Sequence, residues 1–450
     1  MLRSLFTACA AILIVVAIVS GTSEAFQASL AGLSLWWNFV FPAVLPFLVL
    51  AELTLAFGLA DGIGVLLSPL MRLLRLPGTA GWALVQGWTS GYPAGAAAAG
   101  KLVASGRLSR SEGQRLLALC HSPNPLFVIV VLGAGFLHQP MFGLLLLPII
   151  WLGSILAGLL ISRLSERFGK PVHIHPITNT STTQENANSE KKAAVSSVSD
   201  LPVNVNPGED QVEKNICGND SKASLLSRTL QAIEDGRNRD GRAFGKALGD
   251  GVASAVQQLM AVGGLIILAS VLLRLCQPLL PAMLRGPGLT ALTEAHLGAA
   301  ALASWHAPDP SNLLQAAALA AALGWGGLCA LLQAGGAASG TGLKLLPLAC
   351  SRLLAGALAG CLALLLWQPL QALSAAAAPA FTVDGAALEP PWRAAAAALL
   401  QEPGAWAAVL HGSLLLQIPL MAALLAALLL LSAAAAIVIR IRSRRLIARR

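Results

Sequence analysis

The feature that most constrains this chain is a series of apolar runs long enough to cross a bilayer. A membrane-spanning helix needs about 20 mainly apolar residues. Such runs occur at Trp36–Phe57, Arg115–Leu137, Pro140–Ser162, Val252–Leu275, Leu313–Gln333, Lys344–Leu366 and Ala405–Ile439. A shorter run, Leu5–Val19, follows Arg3 and precedes Ser23-Glu24-Ala25. It reads as a first span or as a signal peptide with a small-residue cleavage site. The runs predict an all-α polytopic membrane protein of about eight transmembrane helices.

Charge supports this. Of the 450 residues, 56% are hydrophobic and 11% charged, too few charges to cover a soluble protein of this size. Residues 163–246 hold twelve Lys/Arg and eleven Asp/Glu, whereas residues 1–162 hold only the acids Glu24, Glu52, Asp61 and Glu112. The net charge of +9 does not imply nucleic acid, because six arginines cluster after the last apolar run. That cluster, Arg440 to Arg450, reads as a positive-inside anchor in contact with the lipid bilayer. The seven cysteines form no CxxC and read as small packing residues rather than a disulfide framework or zinc site.

Two apolar stretches are interrupted. Thr79–Ala104 contains Gly87, Gly91, Pro93, Gly95 and Gly100; Leu289–Trp305 is short and carries Glu294 and His296. Broken apolar backbone at membrane depth is tolerated where it is buried in protein or lines a cavity. Both stretches read as re-entrant helical hairpins. Placing Arg72, Arg75, Lys101, Arg107, Arg110, Arg163, Arg167 and the C-terminus in the cytoplasm fixes the topology. The two hairpins then enter from opposite sides. Pro69-Leu70-Met71-Arg72 with Leu76-Pro77-Gly78 recurs as Pro278-Leu279 with Arg285-Gly286-Pro287-Gly288, so the halves read as an inverted repeat.

On this reading residues 1–35 are an N-terminal span or signal-anchor, and 36–162 the first repeat. Residues 163–246 are a disordered polar cytoplasmic linker, with Ser224–Ile233 as a candidate surface helix. Residues 247–366 are the second repeat, and 367–450 an extracytoplasmic loop, a final span and a basic cytoplasmic tail. His173 and His175 in the linker read as part of a solvated tail rather than a metal site.

Candidate binding residues follow from the breaks. In Thr89-Ser90-Gly91-Tyr92-Pro93-Ala94-Gly95 the glycines permit a tight reversal, and Thr89 and Ser90 add hydroxyls. Half-helix N-termini there favour an anionic group. Cys120-His121-Ser122-Pro123-Asn124-Pro125 cannot continue a regular helix, so Ser122 and Asn124, with His121, offer polar groups inside the membrane. At the matching offset in the second half stands Gln333, before the Gly-rich stretch Gly335–Gly342. Packing kinks and ordinary loops are the alternatives at each position. Glu52 and Glu294 sit in apolar sequence, where a charge costs at least about 2.5 kcal/mol. Burial disfavours a charged carboxylate, so both are candidates for proton coupling, Glu294 also for substrate binding, or else both are neutral acids hydrogen-bonded to bent backbone. His296 alone reads as a hydrogen-bonded structural residue. No P-loop, nucleophile elbow or HExxH occurs, so the sequence predicts neither an enzyme nor a cofactor or metal.

Phe41-Pro42, Pro46-Phe47, Glu52-Leu53, Pro77-Gly78, Thr89 to Gly95 and Pro125-Leu126-Phe127 together resemble the YlbJ (SpoVV) family of sporulation integral membrane proteins. The resemblance is strong over 36–162 and extends more diffusely over 245–366 through Pro287-Gly288, Glu294 and Arg352. That family carries a nucleoside-recognition, or gate, domain similar to parts of concentrative nucleoside transporters. The resemblance implies a carrier of dipicolinic acid, a small aromatic dicarboxylate, across the outer forespore membrane. It further implies that Thr89, Ser90, Gly91, Tyr92, Ser122 and Asn124 line the path. His121-Ser122 stands where the family has Asn-rich sequence, and alanine erodes the second-half pattern. A cation-coupled nucleoside permease and a non-transporting scaffold for spore-envelope assembly are the alternatives. Either is compatible with a homo-oligomer.

Overall fold

The computed structural model describes residues 2–168, 224–281, 285–305, 312–377, 382–383, 386–387 and 422–439. Among them the chain is helical apart from a two-residue pairing of Thr382–Val383 with Ala386–Ala387. Helices α1 (Leu2–Ser20) and α2 (Thr22–Leu35) meet at a sharp bend. A π-helical turn, Trp36–Val40, carries α2 into α3 (Phe41–Ala56). α4 (Leu59–Leu73) turns away from α3 by 90° at Gly58, a left-handed glycine with φ 72°. Next come α5 (Ala80–Ser90), α6 (Tyr92–Ala104) and α7 (Arg110–Cys120). They lead into α8 (Phe127–Phe136), which is wound as a π-helix, and α9 (Pro140–Phe168).

The second half opens with α10 (Leu225–Asp240) and α11 (Phe244–Cys276). It continues with α12 (Pro287–Thr293), α13 (Ala295–Ala303), α14 (Leu313–Trp325), α15 (Gly327–Ala337) and α16 (Leu345–Ala377). A last helix, α17 (Ala422–Ile439), packs on α4, with Ser432 donating to the Leu66 carbonyl at 2.8 Å.

Five described helices are long and apolar enough to cross a membrane, or up to seven if each bent pair counts as one. Large apolar side chains such as Leu13, Leu144, Leu268, Leu365 and Leu430 are exposed along them. An apolar surface of that extent belongs in lipid, not water. This is an integral membrane protein.

Several expectations need correction. Arg115–Leu137 is not a continuous span, since it is broken between Cys120 and Leu126; Leu313–Gln333 lies within one apolar span, Leu313–Ala337, which is interrupted at Gly326. Proline explains the first break. Two consecutive glycines with φ of 88° and 81° explain the second. The linker expected to be disordered over 163–246 is helical at both ends: α9 runs to Phe168, and the candidate helix at Ser224–Ile233 is the first part of a longer one, α10. α10 gains its order by packing on α4, where Ile233 covers Gly58 and Gly62. His173, His175 and most of that linker lie outside the described residues, as do 405–421 of the expected final span.

Both interrupted stretches fold as helical hairpins. α5 packs back on α6, with Gly87 against Gly95; α12 packs back on α13, with Ala291 against Gly298. At the open end of the first hairpin, Gly100 rests on Ala337 and Ala338, at the end of α15. The open end of the second lies at the start of α14, where Gln315 donates to the carbonyls of Leu302, Ala303 and Trp305 at 3.0–3.1 Å. The two hairpins therefore open toward opposite ends of the one broken helix α14–α15.

Candidate functional site

The first hairpin turns on Gly91. Its φ of 95° and ψ of −172° lie in a region that only glycine occupies without strain. A Cβ there would also stand 3.3 Å from Asn124. Pro93 does not break the chain here; it sits in the first turn of α6, where a missing N–H costs nothing. The backbone of Gly87 passes directly against the Cys120 carbonyl, an approach that any side chain would block.

Asn124 joins the first tip to the first break. Its Oδ1 accepts from the backbone of Leu126 (2.7 Å) and Phe127 (3.3 Å), starting α8. Its Nδ2 donates to the Thr89 carbonyl at 3.1 Å, at the end of α5. Tyr92 joins the same tip to the second break: its hydroxyl donates to the Leu323 carbonyl at 2.7 Å, and its ring covers Gly326.

The second hairpin turns on Glu294, whose carboxylate caps α13 by accepting from the Leu297 amide at 2.6 Å. Its other oxygen lies 2.7 Å from His296 Nδ1. The His296 ring meets Phe127 edge-on, with centroids 4.5 Å apart, which joins the second tip to the first break. Trp325 Nε1 donates to the Leu292 carbonyl at 3.0 Å, and Gly327 lies against Glu294, joining the second tip to the second break. Two hairpin tips and two broken helices thus meet pairwise at one place.

Three side chains at this junction are fully buried and have no hydrogen-bond partner among the described residues: Ser90, Ser122 and His121. Burying an unpaired polar group costs about 1–3 kcal/mol, so such groups call for a reason. His121 also lies 4.9 Å from the Tyr92 ring, centroid to centroid.

Arg352, on α16, is fully buried beneath the junction. One guanidinium nitrogen donates to the Ala118 carbonyl and to Ser154 Oγ, each at 3.2 Å; the other donates to the Gly324 carbonyl. Ala118 and Gly324 lie in the last turns of α7 and α14, whose C-termini each carry about half a negative charge. Two such ends together balance one guanidinium without a carboxylate.

Of the sequence-derived candidates, Thr89, Ser90, Gly91, Tyr92, Ser122, Asn124 and Glu294 converge here. Gln333 does not. It lies seven residues past Gly326 on α15, about 10 Å along the helix, because the break falls earlier than the sequence offset implied. The Gly335–Gly342 stretch likewise ends α15 and turns toward α16, and is not the counterpart of the first break.

Glu52 is also elsewhere. It is no lone carboxylate at mid-membrane: it pairs with Lys101 (3.0 Å) and Arg242 (3.2 Å). Arg242 also reaches Asp240 and Asp250, while Asp61 holds Arg107 and, at 2.9 Å, Arg239. This ion-pair cluster ties α10 and the start of α11 to the open end of the first hairpin. Arg242 holds the Asp240 carboxyl below the usual aspartate range.

Three elements of the site escaped sequence reasoning: Arg352 as a tie between breaks, the Trp325-Gly326-Gly327 break, and the His296–Phe127 contact. The signals were present. An arginine inside an apolar run is as costly as the acids that were singled out. Paired glycines inside an apparent span mark a break.

These features define a class: a polytopic membrane protein in which helical hairpin tips meet broken helices inside the bundle. The nucleoside-recognition Gate family matches residues 39–138, which hold the first hairpin and the first break. The chain is 32% identical over 372 residues to the sporulation integral membrane protein YlbJ of Bacillus subtilis (strain 168). The match covers 78% of this chain and 80% of that protein. The chain belongs to the YlbJ family of sporulation integral membrane proteins. No solved structure matches it.

Proposed function

We propose that this protein is a carrier, not an enzyme, that moves a small organic anion across a bacterial membrane during sporulation. The substrate we assign is dipicolinate and the membrane the outer forespore membrane, on the strength of the family resemblance. The observation that carries the carrier reading is the junction itself. Two hairpins opening toward opposite ends of one broken helix, with both tips against the same two breaks, fit the arrangement of an inverted-repeat transporter. Ser90, Ser122 and His121, which have no hydrogen-bond partner among the described residues, are the groups we assign to a polar solute. Arg352, close behind the breaks, holds the Ala118 and Gly324 carbonyls and so fixes the shape of the junction. Glu294 with His296 is the pair to which we assign proton coupling. Glu52, held between two cations, we assign to structure.

Lys101, Arg107, Arg239 and Arg242 gather at the open end of the first hairpin. The positive-inside rule makes that end cytoplasmic, and the C-terminus with it.

The test is uptake of labelled dipicolinate into proteoliposomes holding the purified protein, beside a Ser90→Ala/Ser122→Ala double variant. Saturable uptake is expected, reduced about tenfold or more in the variant, as loss of a hydrogen bond or two to an anion implies. The name of the Gate family favours a second reading, a nucleoside permease. Nucleoside uptake with no dipicolinate uptake would establish it instead. If folded protein moved neither solute, the scaffold reading would replace both.

A further inference from the structure

A cavity of about 340 Å³ opens between α2, α11 and the second hairpin. That volume suits a small ligand. Its polar wall is made by Arg274, Arg285, Gln27, Gln277 and Thr290. Arg274 makes no hydrogen bond among the described residues and is exposed to the cavity mouth. Arg285 is held in place by the structure. Its guanidinium donates to the carbonyls of Leu280 (2.8 Å) and Pro278 (3.0 Å), and Gln277 donates to its own carbonyl at 3.2 Å. Leu297, whose amide Glu294 caps, is also in the wall, so the cavity abuts the second hairpin tip.

Its depth follows from α11. α2 and α3 pack along that helix, from Glu52 beside Gly251 at one end to Gly32 beside Ser270 at the other. Gly251 to Ser270 is nineteen residues, about 28 Å of helix, which matches the hydrocarbon thickness of about 30 Å. Arg274, Gln277 and Arg285 therefore lie at the membrane face opposite the ion-pair cluster. Arginines are disfavoured there by the positive-inside rule, and two of them share one cavity.

We infer that this cavity is an oxyanion-receiving vestibule: Arg274 and Arg285 capture a carboxylate or phosphate group at the face opposite the cytoplasm and present it to the second hairpin. The assignment of that face rests on the topology proposed above. Guanidinium groups bind such oxygens through paired, charge-assisted hydrogen bonds, and a concave basic mouth concentrates anions from solution. A solute carboxylate and a lipid headgroup phosphate share this chemistry.

Binding of labelled dipicolinate, and separately of short-chain phosphatidylglycerol, to the full-length protein in detergent tests the inference. The parent is compared with Arg274→Gln, with Arg274→Gln/Arg285→Gln, and with Arg163→Gln as a distant control. The expected result is about tenfold or weaker binding of one probe in the double variant, a smaller loss in Arg274→Gln, and no change in the control. Loss confined to dipicolinate names the solute as the ligand; loss confined to phosphatidylglycerol names the lipid headgroup. Unchanged binding of both probes in folded variants overturns the vestibule. In proteoliposomes the single variant should raise the KM for dipicolinate supplied at that face and leave the maximal rate unchanged. Retained binding without any transport would sink the carrier reading and leave the vestibule standing.

Discussion

The two hairpin tips occupy equivalent places and are built from opposite materials. The first, Ser90-Gly91-Tyr92, is uncharged. It turns on a single glycine conformation and leaves a hydroxyl unpaired. The second, Thr293-Glu294-Ala295, turns on an ordinary extended residue and satisfies itself with a carboxylate, a backbone amide and an imidazole. The breaks they face differ too: prolines and Asn124 in the first half, a Gly-Gly pair in the second. The lesson is a division of labour. The first tip has a hydroxyl with no partner among the described residues, while the second carries charge whose partners lie inside the protein.

The largest effect should come from Gly91→Val. A branched residue cannot adopt this backbone without strain, and its Cβ would meet Asn124; about 3 kcal/mol or more is at stake. A marked fall in thermal midpoint in detergent is expected, and a midpoint like that of the parent would show that the first tip is not rigid. Replacing Arg352 with Leu should follow closely, at about 3 kcal/mol, because the Ala118 and Gly324 carbonyls lose their donor. Arg352→Lys should recover only part of the loss, since a point charge cannot span both carbonyls. Equal stability of the two variants would remove Arg352 as the tie between halves.

Glu294→Gln tests the asymmetry directly. The amide oxygen can still accept from Leu297, so the stability cost should be about 1–2 kcal/mol, less than at Gly91. Transport should lose its pH dependence while substrate binding persists. If binding collapsed instead, the second tip would be a binding element like the first.

The smallest effect lies in the ion-pair cluster. Arg242 lowers the Asp240 carboxyl in the folded protein, from an unfolded value of about 3.9. A lowered folded value means the contribution is complete above about pH 3.9 and is lost as pH falls through the lower, folded value. Acid should therefore loosen the end of α10 from Arg242, which also holds Glu52 on α3, in the parent, and Asp240→Asn should flatten that dependence. Hydrogen exchange over 225–240 would show it. Equal acid sensitivity in both proteins would remove Asp240 from the cluster's hold on α10.

Much of the architecture was legible in the sequence because membranes enforce local rules. Twenty apolar residues, an interrupting Gly-Tyr-Pro and a proline pair announce spans, a hairpin and a break within a few residues of where they occur. The second break was misplaced because sequence offset assumed equal loop lengths in the two halves. Glu52 was misread for a related reason: its chain neighbours are apolar, but its partners Lys101 and Arg242 are 49 and 190 positions away.

By itself, then, the sequence determined where the chain can bend and which segments must avoid water, since those are properties of short stretches of backbone and side chain. Only the tertiary structure decided which polar groups are paired. Ser90 and Ser122 stay unpaired while Arg352 binds carbonyls 234 and 28 positions away, because hydrogen bonding inside a bundle is settled by what packing brings within 3 Å.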